Sequence, residues 1–99
     1  MKYYIVVETT ITDPAWVSTY VENVGPLVHR YGGKYINRTG DVSCLEGEGA
    51  APDFYSLLEF PTKEAAEKFY NCSEYEPYKQ ARIKGSKSKL LIVASEGDE

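Results

Sequence analysis

An apolar stripe between residues 16 and 31 is the feature that most constrains the fold of this 99-residue chain. Asp13-Pro14 precedes the stripe and is typical of a helix start, with an N-cap followed by proline in the first turn. Gly32-Gly33 follows it and is typical of a helix end. Gly25-Pro26 interrupts the stripe, but because apolar residues continue beyond it, we expect a kink rather than an end. The pattern predicts one long amphipathic helix, whose apolar residues are Trp16, Val17, Tyr20, Val21, Val24, Leu27, Val28 and Tyr31.

Extended segments surround this helix and set the fold class. Strands are predicted at 2–11, at 34–46 with a turn or bulge at 39–41, at 54–60 and at 89–95. A second helix begins at Pro61-Thr62, with Thr62 as its N-cap. The order β-α-β-β-α-β predicts an α+β protein with ferredoxin-like topology and an antiparallel sheet. We expect residues 1–95 to form a single domain, followed by an acidic C-terminal tail at 96–99.

The segment "SEYEPYKQAR" at 73–82 has an unusual helix start. Ser73 with Glu76 three residues later fits a capping box, yet Pro77 would weaken the first turn. We therefore expect a loose turn at 73–76 and a firmer helix from Pro77 to about residue 83. One face of this helix, which we interpret as the wall of a pocket, would carry Tyr75, Tyr78 and Arg82.

Both faces of the predicted sheet are apolar. Ile5 and Val7 alternate with Tyr4 and Val6, and "LLIV" at 90–93 is apolar on both sides. Only one face can lie under the helices, so the other would expose a larger patch than monomeric proteins tolerate. The sequence therefore predicts a homodimer in which two sheets pack face to face.

Charge and composition exclude several classes of partner. The net charge of −4 argues against nucleic acid, whose phosphates attract a basic surface. The basic run at 82–89 contains no aromatic residues, and we interpret it as a solvated loop. No apolar stretch approaches the roughly 18 residues that span a membrane, and no signal cleavage site follows the N-terminal segment. These features predict a cytoplasmic protein with no membrane partner, in which Cys44 and Cys72 are free thiols.

Several short motifs occur in a specific order: Asp13-Pro14 with Tyr20, "YGGKY" at 31–35, Arg38, "LEG" at 45–47, "LLEFPTKEAAEKFY" at 57–70, Glu74-Tyr75 and Arg82. In this order and spacing they resemble the small proteins grouped as domain of unknown function 1330, within the dimeric α/β-barrel superfamily. The resemblance covers nearly the whole chain. It implies a ferredoxin-like protomer and a two-fold dimer, but it supplies no reaction. Cys72 and Ser73 stand where the family usually has Ser-Pro, so the helix cap is expected to move to Ser73.

The sequence shows little sign of the residue patterns that bind metals or common cofactors. His29 is the only histidine and lies off the apolar stripe, and neither cysteine has a partner at ligand spacing. "GEGAAPD" at 47–53 lacks the lysine and the following helix of a phosphate-binding loop. We therefore expect neither a metal nor a cofactor.

Charged residues on or beside apolar strands are the remaining candidates for chemistry, because an unpaired charge is costly to bury. They are Glu8, Arg38, Glu46, Glu59 and Arg82. One interpretation is a structural ion pair between Glu59 and Arg38 or Arg82. The other is a polar pocket between the second helix, the 73–83 helix and the sheet, which would bind a small anionic or carbonyl-bearing metabolite.

Two functional hypotheses follow from this set. In the first, the protein is a cofactor-independent enzyme that catalyses an isomerase-like proton transfer on a small polar molecule. The catalytic candidates are Glu59 or Glu46 as the base and Tyr75 as the proton donor. The substrate-binding candidates are Arg38, Arg82 and Tyr78. In the second, the protein is a non-catalytic dimeric module that binds a ligand or an interaction partner. The residues fit both hypotheses.

Overall fold

The fold is a four-stranded antiparallel sheet with helices packed against one face. The computed structural model describes residues 1–96. The elements are β1 (Tyr3–Ile11), a 3₁₀ helix (Pro14–Trp16), α1 (Val17–Arg30), β2 (Lys34–Thr39), β3 (Phe54–Phe60), α2 (Lys63–Asn71), α3 (Glu76–Gly85) and β4 (Ser86–Ala94). The strand order is β2-β3-β1-β4, and each neighbouring pair is antiparallel. This arrangement confirms the predicted ferredoxin-like α+β topology. Of the predicted tail at 96–99, residues 97–99 lie outside the described part of the chain.

The strand register separates an inner face of the sheet, which the helices cover, from an outer face. On the inner face, Ile5 lies opposite Leu58 of β3 and Ile92 of β4. The helices and this face together form the hydrophobic core, which contains Ile5, Val24, Leu27, Val28, Leu58, Phe60, Ala66, Phe69 and Tyr75. Because side chains alternate along a strand, the neighbours of these strand residues point to the outer side.

The outer face is apolar at its centre. It carries Tyr4, Val6, Leu57, Leu91 and Val93. Leu91 and Val93 are 44% and 40% exposed, which is high for aliphatic side chains in adjacent positions of one strand face. This exposure is the feature on which the homodimer prediction depends, and the homodimer itself stays a prediction.

The predicted ends of the first helix are confirmed. Asp13 Oδ1 accepts a hydrogen bond of 3.0 Å from the backbone N–H of Ala15, and Pro14 opens the 3₁₀ helix that leads into α1. Pro26 lies inside α1, as predicted. After α1, Gly32 adopts a φ of 86°, a left-handed conformation that glycine reaches without steric cost.

The start of α3 differs from the prediction. A turn precedes the helix, as expected, but no side chain caps it. Ser73 contributes only its carbonyl, which accepts a bond of 3.3 Å from the Glu76 N–H. The Glu76 carboxylate instead accepts a 2.8 Å bond from Gln80 and pairs with Lys79 at 3.2 Å. The predicted capping box is wrong, because Glu76 finds its partners further along the helix rather than behind it.

Residues 82–89 do not form the expected solvated loop, because α3 continues to Gly85 and β4 begins at the next residue. The Gly85 carbonyl accepts bonds from the Thr12 N–H at 2.9 Å and from the Trp16 Nε1–H at 3.1 Å. A Cβ at Gly85 would lie only 2.2 Å from the Trp16 ring. Glycine therefore lets α3 pack directly against the start of the first helix, and this tertiary contact replaces the predicted loop.

Two further predictions from the sequence concern the cysteines and membrane-spanning segments. Cys44 and Cys72 are both free thiols, as predicted. None of the helices within residues 1–96 has the length and apolar character needed to cross a membrane.

Candidate ligand-binding cavity

A cavity of about 120 Å³ lies between α1 and the inner face of the sheet. Most of its lining is apolar, and α2 and α3 also contribute to it. The lining residues that carry polar groups are Thr9, Trp16, Tyr20, Tyr35, Arg38, Ser56, Tyr75 and Arg82. An apolar enclosure with a few polar groups is typical of sites that bind small molecules.

Arg82 is the most unusual residue of this lining. Only 3% of it is exposed. Its Nε has no hydrogen-bond partner, and no carboxylate within residues 1–96 forms an ion pair with its guanidinium. A buried charge without a counterion destabilises a fold by several kcal/mol. A protein retains such a group where an anion binds, so Arg82 marks a candidate anion site.

Two phenols lie beside this guanidinium. Tyr20 Oη lies 2.6 Å from Tyr75 Oη, so one of the two phenols donates a hydrogen bond to the other. Burial raises the pKa of Tyr20 well above its usual value, and the neighbouring Tyr75 raises it further. Burial opposes the charge of Arg82, but Tyr75 and Tyr20 favour it, and the net effect raises the pKa of Arg82. At neutral pH, Tyr20 is therefore an uncharged donor beside a cation.

Within residues 1–96, these contacts leave at least two donors free. The phenol pair uses one hydroxyl hydrogen, so the second phenol still has a hydrogen to donate. Arg82 cannot accept it, because a guanidinium only donates, and its own Nε–H is the second free donor. A carboxylate or an enolate oxygen can accept from both. The set can therefore bind an anionic oxygen and stabilise negative charge on it.

A second arginine lines the cavity where it opens to solvent. The guanidinium carbon of Arg38 lies 4.3 Å from the centroid of the Tyr35 ring. Both Arg38 and Val21 line the cavity and are exposed, so the opening lies beside them. Burial raises the pKa of Tyr35, and the nearby Arg38 offsets part of this rise. The lining therefore contains a second positive charge in addition to Arg82.

Glu59 lies on the opposite side of the sheet from the cavity. Its register partners are Tyr4 of β1 and Lys34 of β2. The carboxylate lies 3.7 Å from Lys2 Nζ and 3.6 Å from Lys34 Nζ, and it accepts a 3.4 Å bond from the Tyr4 hydroxyl. Within residues 1–96 no ion pair joins it to either candidate arginine, so the predicted ion pair is wrong. The alternation of β3 places Glu59 outside the cavity, and this position does not favour its predicted role as a base.

Two further candidates also lie away from the cavity. β2 ends at Thr39, short of the predicted boundary at 46, and Glu46 is therefore exposed in the connection between β2 and β3. Tyr78 packs against the hydrophobic core without lining the cavity. Of the six candidate residues, the cavity brings together Arg38, Tyr75 and Arg82. Their roles stay predictions.

One wall of the cavity differs from the prediction. The predicted pocket lies between the second helix, the 73–83 helix and the sheet. In the observed cavity, the 3₁₀ helix supplies Trp16, and α1 supplies Val17, Tyr20, Val21 and Val24. The Trp16 and Tyr20 rings meet edge to face, with centroids 5.3 Å apart. Aromatic residues with polar tips at Trp16 and Tyr20, in the first half of the stripe, are the signal that could have indicated this wall.

Within residues 1–96, the acid and base groups of the lining are limited to the phenols. None of the described residues that line the cavity is an aspartate, a glutamate or a histidine. The part of the chain that the structure describes contains no group of three or more His, Cys, Asp or Glu side chains that could hold a metal ion. The cavity therefore offers hydrogen-bond donors and positive charge, which suit the binding of an electron-rich oxygen.

Comparison with known proteins identifies the family. A sequence model of the family described as Domain of unknown function (DUF1330) matches residues 2–95. The chain belongs to the DUF1330 family. This membership confirms the resemblance that the motifs indicate. No curated protein matches the sequence of this DUF1330 chain significantly.

Solved structures that share the fold of this DUF1330 chain are distant in sequence. A protein of unknown function from Rhodopseudomonas palustris is 16% identical, with a TM-score of 0.81 over 97% of this chain and 83% of that one. SnoaB, a cofactor-independent oxygenase from Streptomyces nogalater, is 13% identical, with a TM-score of 0.68 over 97% and 94%. A dabb family protein with a ferredoxin-like fold from Mesorhizobium loti is 10% identical, with a TM-score of 0.66 over 97% and 98%. At these identities the likeness shows the fold alone.

Proposed function

We propose that this DUF1330 protein binds a small metabolite that bears a carboxylate or another anionic oxygen. The observation that carries this proposal is the buried guanidinium of Arg82, which lines an apolar cavity and has no carboxylate partner among residues 1–96. A bound anion would supply the missing counterion and acceptors, and so offset the cost of burying this charge. The Tyr20–Tyr75 pair would add one hydroxyl donor.

The cavity limits the size of the ligand. Its volume of about 120 Å³ is close to the roughly 150 Å³ of an apolar cavity known to hold benzene. The ligand is therefore a molecule of about the size of a single ring, with an apolar body and a polar group directed towards Arg82. Benzoate has this composition and serves as a simple probe.

Catalysis on the bound molecule is a second candidate, which the free donors beside the phenol pair favour. Donors in this position would stabilise an enolate or phenolate oxygen and activate the neighbouring carbon. SnoaB, a cofactor-independent oxygenase of this fold, supports considering a reaction without a cofactor. An isomerase-like proton transfer would have to use a phenol, since Glu59 lies on the outer side of the sheet. NMR detection of deuterium exchange at the carbon next to a bound carbonyl group tests this candidate, and exchange no faster than in buffer would contradict it.

We also propose that the protein is a homodimer located in the cytoplasm. The exposed aliphatic side chains of the outer face support the dimer, because a second sheet would remove them from water. The free thiols Cys44 and Cys72 support a reducing compartment. Light scattering that shows a stable monomer at micromolar concentration would contradict the dimer.

Calorimetric titration with a matched pair of ligands tests the binding proposal. Benzoate and benzamide share the same ring and nearly the same size, but only benzoate is an anion. We expect benzoate to bind at least about tenfold more tightly, because a hydrogen bond to a charged group contributes roughly 1.5–3 kcal/mol. Equal affinities for the two compounds, or no benzoate binding at millimolar concentrations, would contradict the proposal.

A further inference from the structure

The inner face of the sheet offers a second polar group to the cavity, apart from Arg82. Ser56 on β3 is buried and lines the cavity, and its hydroxyl makes no hydrogen bond to another residue that the structure describes. Arg38 lies directly opposite Ser56 in the pairing of β2 with β3. Because the hydroxyl lines the cavity and makes no bond within the described residues, it is available to donate to or accept from a ligand group.

Ser56 and Arg82 reach the cavity from different elements, Ser56 from β3 and Arg82 from α3. The helix that carries Arg82 packs against β4 and the 3₁₀ helix, and the Ser86 hydroxyl at the start of β4 donates to the Arg82 carbonyl. Ser56 and Arg38 come from β3 and β2, which lie on the other side of β1. A carboxylate held at Arg82 therefore leaves Ser56 available for another group of the same ligand.

An apolar floor lies beside Ser56. Val7 of β1 lies opposite Ser56 on one side and opposite Leu90 of β4 on the other, and all three line the cavity. Neighbouring strands lie about 4.8 Å apart, so this row spans roughly 10 Å across the sheet. A flat ring can lie over Val7 and Leu90 and direct one substituent towards each polar place.

We propose that the ligand carries a second oxygen, a ring hydroxyl, which forms a hydrogen bond with Ser56 beneath Arg38. This inference rests on the proposed function, in which Arg82 holds the carboxylate. A hydroxyl both donates and accepts, so it can pair with the serine hydroxyl in either direction. The Arg38 guanidinium favours an electron-rich oxygen at the same place. The ligands of this site are hydroxy-substituted ring acids.

Titration of two proteins with three probes tests this inference. The probes are benzoate, 3-hydroxybenzoate and 4-hydroxybenzoate, and the proteins are the wild type and Ser56→Ala. For the wild type we expect one hydroxybenzoate to bind about fivefold more tightly than benzoate, the equivalent of one net hydrogen bond. In Ser56→Ala this preference should disappear, while the affinity for benzoate stays within about twofold, which also shows that the cavity is intact. Ser88→Ala is the matched control, because Ser88 faces the same side of the sheet without lining the cavity.

The outcomes separate this inference from the proposed function. If benzoate binds but neither hydroxybenzoate binds more tightly, the hydroxyl site is wrong and the anion site stands. A preference for hydroxybenzoate that survives in Ser56→Ala would also overturn the hydroxyl site. If benzoate does not bind at all, the anion site fails, and the hydroxyl site fails with it.

Discussion

Glu59 and Arg82 are both charged side chains among apolar neighbours, but the protein neutralises only one of these charges. The Glu59 side chain is 14% exposed, with Lys2 and Lys34 within 3.7 Å and the Tyr4 hydroxyl as a donor. Arg82 is 3% exposed, has phenols beside it and retains an unpaired Nε. A charge in an apolar layer is thus structural when its partners are complete, and it indicates a binding site when they are not.

The largest expected effect concerns ligand binding. Arg82→Met keeps an unbranched side chain of similar length and removes the guanidinium. We expect this change to weaken benzoate binding roughly 10- to 100-fold, because a hydrogen bond to a charged group contributes about 1.5–3 kcal/mol. Glu59→Gln is the matched control and should change the affinity less than about twofold, since Glu59 lies on the opposite side of the sheet. Isothermal titration calorimetry measures the benzoate affinity of both variants. A larger loss of affinity in Glu59→Gln than in Arg82→Met would contradict the roles assigned to the two residues.

The next largest effect concerns protein stability, through the packing of α3 against Trp16 in the wall of the cavity. A Cβ at Gly85 would lie 2.2 Å from the Trp16 ring, so Gly85→Ala should lower the free energy of unfolding by roughly 1–3 kcal/mol. Gly25→Ala within α1 is the control, because no atom lies within 4 Å of the added Cβ, and it should change stability by less than about 1 kcal/mol. Urea unfolding at an unchanged m-value checks the pair. Equal stability of the two variants would show that the wall is not tightly packed at Gly85.

The phenol pair gives a pH-dependent test. The pKa of Tyr20 in the folded protein is raised above the value of about 10 in an unfolded chain. The folded state therefore keeps a proton that the unfolded state loses above about pH 10, so stability falls as the pH rises further. Tyr20→Phe removes this contribution and should make the decline above pH 10 shallower. At neutral pH, the lost hydrogen bond to Tyr75 should cost about 1 kcal/mol.

Tyr4→Phe is the control for this test on the outer side of the sheet. Its hydroxyl donates only a long bond of 3.4 Å to Glu59, so we expect the free energy of unfolding at neutral pH to fall by less than about 0.5 kcal/mol. Urea unfolding of both variants at pH 7, 9 and 11 provides the measurement. A decline in Tyr20→Phe as steep as in the wild type would contradict the role assigned to Tyr20.

The smallest effect concerns the stability of Glu59→Gln. Lys2 and Lys34 are 61% and 62% exposed, so water can solvate both after the carboxylate is removed. The loss should be no more than about 1 kcal/mol, as for other ion pairs near the surface. Thermal unfolding measures it, and a loss above about 3 kcal/mol would indicate a buried ion pair instead.

Most of the fold can be predicted from local sequence patterns. The prediction fails where residues that are far apart in the chain come into contact. The β3 strand at 54–60 is predicted to the residue, because alternating apolar side chains and the following Pro61-Thr62 delimit it. The start of β4 is misplaced, because Gly85 joins helix to strand through contact with Trp16, 69 residues earlier in the chain. Such a contact leaves no signal in the surrounding residues.

The site is only partly predictable for a related reason. Arg38 and Arg82 can be recognised from the sequence as charged residues on or beside apolar strands, and both line the cavity. Glu59 stands out in the same way, but a shift of one residue along a strand changes the face of the sheet, and the register is a property of the pairing. Tyr20 falls within the predicted apolar stripe, and periodicity does not distinguish a ring that packs in the core from one that also lines a cavity.

A crystal structure of the protein soaked with benzoate tests the central claim most directly. We predict that the ring lies over the inner face of the sheet and that a carboxylate oxygen lies about 3 Å from the Arg82 guanidinium, within hydrogen-bond distance. Benzoate bound only on the outer face, or a cavity without benzoate at saturating concentration, would contradict the assignment of Arg82 as the anion-binding residue.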